Sequence, residues 1–142
     1  MTKLVVDASV AIKWFVHEPL SVEARRILDD YQADTLSILA PDLIYAEVGN
    51  IVWKKHIFQG LVADDAKAIV DEFRKLVITV TPTADLLDAA YSLAVSHRRS
   101  VYDSLYLALT LRENCQFVTA DEKLANAVRY TLPSVVWLAN WP

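Results

Sequence analysis

Five short apolar runs set at intervals along the chain constrain its fold more than any other feature. They are Leu4-Val5-Val6, Leu36 to Ala40, Val77 to Thr81, Phe117 to Thr119 and Val135 to Trp137, and the first three end at Asp7, Pro41 and Pro82. None alternates cleanly between apolar and polar residues. Such runs suit strands covered on both faces. Between them the apolar period changes to that of a helix. The pattern predicts helices over Ser9 to Phe15, Ser21 to Asp30, Asp42 to about His56, Asp64 to Lys75, Ala84 to His97, Ser100 to Asn114 and Asp121 to Val128. Strands separated by helices imply an α/β fold with a central, mostly parallel sheet of about five strands and helices on both faces. No repeat or Ser/Gly-rich linker interrupts the order, so residues 1–142 read as a single domain.

Composition narrows the class. Hydrophobic residues make up 54% and charged residues 23%, enough apolar material for a packed core. The longest uncharged stretch, Tyr130 to Pro142, has 13 residues; a bilayer needs about 20. No signal-like apolar run precedes Asp7, so the expectation is a cytoplasmic protein without a membrane role. The single cysteine, Cys115, excludes an internal disulfide and a thiolate metal cage, and a buried thiol is expected there. His17, His56 and His97 show no ligand spacing. The aromatics Trp14, Phe15, Trp53, Phe58, Trp137 and Trp141 read as core or as an interface. With a net charge of -4, bulk attraction does not bring phosphate to this chain. An acidic site can still accept phosphate when a divalent cation lies between them.

Four acids stand out. Asp7 and Asp121 follow apolar strands, Asp103 sits in the first turn of its helix, and Glu47 lies mid-helix. Asp7 and Asp121 also suit helix caps; Thr119 and Glu122 suit a capping box, as do Ser100 and Asp103. Glu47 is less easily explained. Leu43 and Ile51 flank it by about 40° on either side, which places it inside the apolar stripe of its helix. A carboxylate there needs a basic partner, a metal or a proton, or must reach solvent from the stripe's edge. Asn50 lies on the same flank, one turn on. In a parallel sheet the strand ends share one edge, so these acids can converge there. Such a convergence favours Mg²⁺ or Mn²⁺ over zinc and suits phosphodiester hydrolysis.

The segments VVDASV (Asp7, Ser9), PDLIYAEVGN (Glu47), VYDSLYLALTLREN (Asp103) and FVTADEKLANAV (Thr119, Asp121) resemble, in order and spacing, the PIN-domain ribonucleases, above all the VapC-type toxins of toxin–antitoxin systems. The resemblance implies a three-layer α/β/α fold and a Mg²⁺-dependent endoribonuclease that leaves a 5′-phosphate and a 3′-hydroxyl. It also implies a structured RNA substrate (tRNA or rRNA), a homodimer and a cognate antitoxin protein. Asp7 and Asp103 then become direct metal ligands. Glu47 holds a second metal or orients water, and Asp121 completes the quartet. Ser9 and Thr119 orient the carboxylates. Some relatives carry one further acid; Lys123 and Asn126 occupy that stretch here. Lys13, Arg98 and Arg99 are candidate RNA contacts, though each also reads as a solvated or helix-ending residue, as do Lys54 and Lys55.

Two other readings compete. One is a catalytically idle PIN-fold module that binds RNA or protein. The other is a phosphotransfer domain of the receiver or haloacid-dehalogenase kind. A dehalogenase-type phosphatase wants an acid two residues after its nucleophile, where this chain has Ser9, and VITVTP supplies no acceptor acid for a receiver.

Overall fold

A computed structural model describes residues 1–142. The elements are β1 (Thr2–Val6), α1 (Ala8–Ala11) continuing into a 3-10 turn (Ile12–Trp14), α2 (Ser21–Gln32), β2 (Leu36–Pro41), α3 (Leu43–Phe58) and α4 (Ala63–Lys75). They continue as β3 (Thr79–Thr81), α5 (Thr83–His97), α6 (Val101–Glu113), β4 (Gln116–Thr119), α7 (Glu122–Val128), β5 (Val135–Trp137) and a second 3-10 turn (Leu138–Asn140). All five strands are parallel, in the order β3-β2-β1-β4-β5, which makes the fold a three-layer α/β/α sandwich.

That order has one reversal. The chain builds outward from β1 through β2 to β3, then returns to the far side of β1 for β4 and β5. Ligands of open parallel sheets bind beyond the carboxyl ends of the strands where the order reverses, here between β1 and β4. Val6 lies opposite Val118, so Asp7 and Thr119 emerge together from that edge. Strand residues Leu4, Val5, Val6, Phe117 and Val118 are fully buried, as their unbroken apolar runs require. Helix α6 packs across β1, β2 and β4 and against α5. Ser104 to Thr110 are buried around the whole helix. This explains why its sequence shows no one-sided stripe.

Several local expectations are corrected. Asp7 does cap α1, as its place after β1 suggests: its side chain accepts from the Val10 amide, and Ser9, where the predicted helix begins, lies inside the helix. For α7 the Asp121 cap forms, and the alternative box of Thr119 and Glu122 does not. Asp42 makes no capping bond to α3; it accepts instead from the amide and hydroxyl of Thr83 at the start of α5. Strand β3 starts at Thr79 because the Val77 amide donates to the Tyr31 hydroxyl rather than to the sheet. Cys115 is half-buried, not fully enclosed. Trp14 is in the core and donates to the Ala24 carbonyl, whereas Trp53 and Phe58 form an exposed edge-to-face pair. No helix is long and apolar enough to cross a membrane.

Candidate metal centre at the switch point

Asp7 anchors the site. It is 9% exposed, and both carboxylate oxygens are held. Oδ1 accepts from the Ser9 hydroxyl at 2.5 Å and the Val10 amide at 3.3 Å; Oδ2 accepts from the Thr119 hydroxyl at 2.5 Å. The same hydroxyls tie in the next segment. Ser9 Oγ accepts from the Ala120 amide at 3.0 Å, and Thr119 Oγ1 from the Asp121 amide at 3.1 Å. Ser9 and Thr119 thus lock the end of β1 to the end of β4 and fix Asp7 relative to Asp121. Burial pushes the Asp7 carboxyl up to about 6 even though Ser9, Thr119 and Val10 all pull it down.

Glu47 stands at the border of the buried face. The fully buried row of α3 is Ile44, Val48 and Val52, and Glu47 shares the half-buried row of Leu43 and Ile51. The expectation of a carboxylate inside the stripe is therefore corrected to one on its flank. Its partner is the Tyr106 hydroxyl, which donates to Oε1 at 2.6 Å. Tyr106 is one turn beyond Asp103 on α6, is buried, and stacks on Phe117 of β4 at 5.6 Å. Burial and the neighbouring carboxylates push its phenol far up, so it stays a donor. Tyr106 belongs to none of the acid motifs; its signal in the sequence is the Asp103-x-x-Tyr106 spacing, which puts both on one helix flank.

Asp103 follows the Ser100 cap, whose hydroxyl accepts from the Asp103 amide at 3.0 Å. Its Oδ2 faces Arg99 Nη2 at 3.5 Å, a loose pair. Asp121 spends Oδ1 on the Leu124 amide at 3.1 Å. The four acids share one field. Glu47 raises Asp7, Asp103 raises Glu47, and Asp121 raises Asp103, each on top of burial. Tyr106 and Arg99 offset only part of this for Glu47 and Asp103. An all-oxygen, under-neutralised donor set of this kind fits a hard divalent cation. As the side chains stand, no three Asp, Glu, His or Cys groups close around one point, so the acids form a cradle and not a finished cage.

The remaining candidates divide. Asn50 is exposed and makes no side-chain hydrogen bond to the acids, so the polar pocket does not extend to it. Lys13 pairs with Glu18 at 2.9 Å, a partner the motif reading did not single out. Arg98 is exposed and ends α5 in the left-handed region at φ 52°. Arg99 is half-buried on Asp103.

A five-stranded parallel sandwich with acids at its switch point defines a class, and the PIN domain family model matches residues 4–129. The chain belongs to the PIN-domain family. Within that family it is of the VapC type: it is 36% identical over 126 residues to Ribonuclease VapC3 of Pyrobaculum aerophilum, covering 87% of this chain and 92% of that one. It is also 27% identical over 133 residues to Ribonuclease VapC9 of Mycobacterium tuberculosis, covering 94% and 97%. Two solved structures share the fold. The crystal structure of PAE2754 from Pyrobaculum aerophilum matches with a TM-score of 0.72 at 20% identity, over 97% of this chain and 85% of that one. Mycobacterium tuberculosis VapC20, described as a sarcin-ricin loop cleaving toxin, matches with a TM-score of 0.64 at 18% identity, over 87% and 94%.

Proposed function

We propose that this chain is a Mg²⁺- or Mn²⁺-dependent endoribonuclease and the toxin of a toxin–antitoxin pair. The observation that carries the reading is the shared field of Asp7, Glu47, Asp103 and Asp121 at the switch point, which the protein's own cations leave under-neutralised. Asp7 and Asp103 are the residues that would hold the cation, with Glu47 and Asp121 completing the cradle. When bound, the cation supplies Lewis-acid stabilisation of the phosphate and makes water a better nucleophile near neutral pH. Ser9 and Thr119 hold Asp7 in one orientation. Tyr106 holds Glu47, whose carboxylate would orient the attacking water and take its proton. Water attacks phosphorus, the bond to the 3′-oxygen breaks, and that oxygen gains a proton, leaving a 5′-phosphate and a 3′-hydroxyl.

The VapC likeness supports a structured RNA substrate, a cognate antitoxin, a homodimer and a cytoplasmic setting. The test is 5′-end mapping of RNA after induced expression. New 5′ ends are expected with the wild-type chain and none with Asp7→Asn or Asp103→Asn; wild-type cutting by the Asp7→Asn protein defeats the assignment. The idle-module reading draws on the open cradle. Calorimetric titration separates the two: no binding of Mn²⁺ at millimolar levels favours the module.

A further inference from the structure

We propose that Lys13, Glu18 and Lys55 form a second phosphate seat, which holds the RNA backbone beside the carboxylate cradle. The proposal rests on the nuclease reading above and adds to it a place for a flanking phosphate. Glu18 uses one oxygen on each lysine: Oε1 meets Lys13 Nζ at 2.9 Å and Oε2 meets Lys55 Nζ at 3.2 Å. One carboxylate neutralises one ammonium, so the group keeps a net positive charge. Each ammonium has three donors and uses one on Glu18, leaving donors for phosphate oxygens. The side chains are 12%, 24% and 20% exposed for Lys13, Glu18 and Lys55, so the charges are held in place yet remain reachable. A pre-ordered cation pair loses less entropy on binding than free lysines do.

The placement fits a polyanion that passes over the acids. Lys13 lies in the 3-10 turn that continues α1, the helix capped by Asp7. Lys55 lies on the helix that carries Glu47, eight residues and about 12 Å along it. The two segments touch. A chain with net charge -4 whose cradle repels phosphate needs fixed positive charge nearby to dock RNA. Arg99, the other half-buried cation near the cradle, is engaged with Asp103.

The test is binding of a fluorescent single-stranded RNA oligonucleotide by anisotropy across a salt series, in EDTA so that no cleavage occurs. The Lys13→Ala/Lys55→Ala protein is expected to bind at least tenfold more weakly, with a shallower salt slope, by about 0.7 per lost phosphate contact. The Lys13→Arg/Lys55→Arg protein should restore both, and Lys67→Ala/Lys75→Ala, which removes an equal charge from the exposed face of α4, should change neither by as much. Glu18→Gln keeps the shape and removes the neutralising charge, so it should bind more tightly. A mere staple between the two segments would give the opposite sign: Glu18→Gln would melt earlier and bind no better, which overturns the proposal, and the Glu18 result decides even if the double alanine fails to fold. Wild-type RNA cleavage together with unchanged binding in the lysine and Glu18 variants defeats the seat alone. A wild-type chain that neither binds nor cuts RNA defeats the nuclease reading along with it.

Discussion

The Asp7 carboxyl, held up near 6 by burial, is a proton reservoir in the metal-free protein. Its folded value lies above its unfolded one. The folded state therefore holds an extra proton between about pH 4 and 6, and stability falls as pH rises through that window. A shift of this size corresponds to about 3 kcal/mol against the fold once Asp7 ionises. In EDTA near neutral pH, Asp7→Asn should melt above the wild type, and the gap should close as the buffer is taken below the window; thermal melts across pH check it. The asparagine can still accept from the Val10 amide, so α1 keeps its cap. Tyr106→Phe removes the only protein donor to Glu47. It should lower RNA cleavage about tenfold while leaving the fold intact, because the ring keeps its stack on Phe117. Single-turnover kinetics alongside circular dichroism check that split.

At the scale of elements, strands β1, β2, β4 and β5 and the helix order could be read from the sequence because each depends on apolar residues close together along it. What could not be read depends on partners far away. Asp42, the first residue of the predicted third helix, is in fact the anchor for Thr83, with bonds of 2.9 and 2.6 Å. Asp42→Ala should loosen the start of α5 by about 1 kcal/mol. Cleavage should be unchanged, and the midpoint of a thermal melt should fall by about 3 °C. Val77 looked like strand until the Tyr31 hydroxyl took its amide. Glu47 was legible as an anomalous acid, but its Tyr106 partner comes from another helix, and Glu18 showed no local sign of gripping two lysines. The four acids were legible as an ordered set; the Ser9 and Thr119 bonds that orient Asp7 join residues up to 112 positions apart.

For the whole molecule, the cradle is a strain on the fold that a bound cation would relieve. Three carboxyls sit above their ordinary range for the same reasons, burial and one another's charge. Anything that binds the folded state alone raises its stability, by about 2.7 kcal/mol at a hundred times the dissociation constant. Added Mn²⁺ should therefore raise the melting midpoint of the wild type and EDTA should reverse it. Asp103→Asn should blunt the rise. Equal responses from both proteins would place the ion elsewhere.

The bond from Thr119 to Asp7 spans 112 positions of the chain. During synthesis Asp7 leaves the ribosome well before Thr119 and Asp121 are made. An interrupted translation product therefore carries the leading acids without the strand that fixes them. On the nuclease reading proposed above, the wiring would be a safeguard: a fragment without β4 is expected to be inert, and cleavage to begin only once that strand is in place.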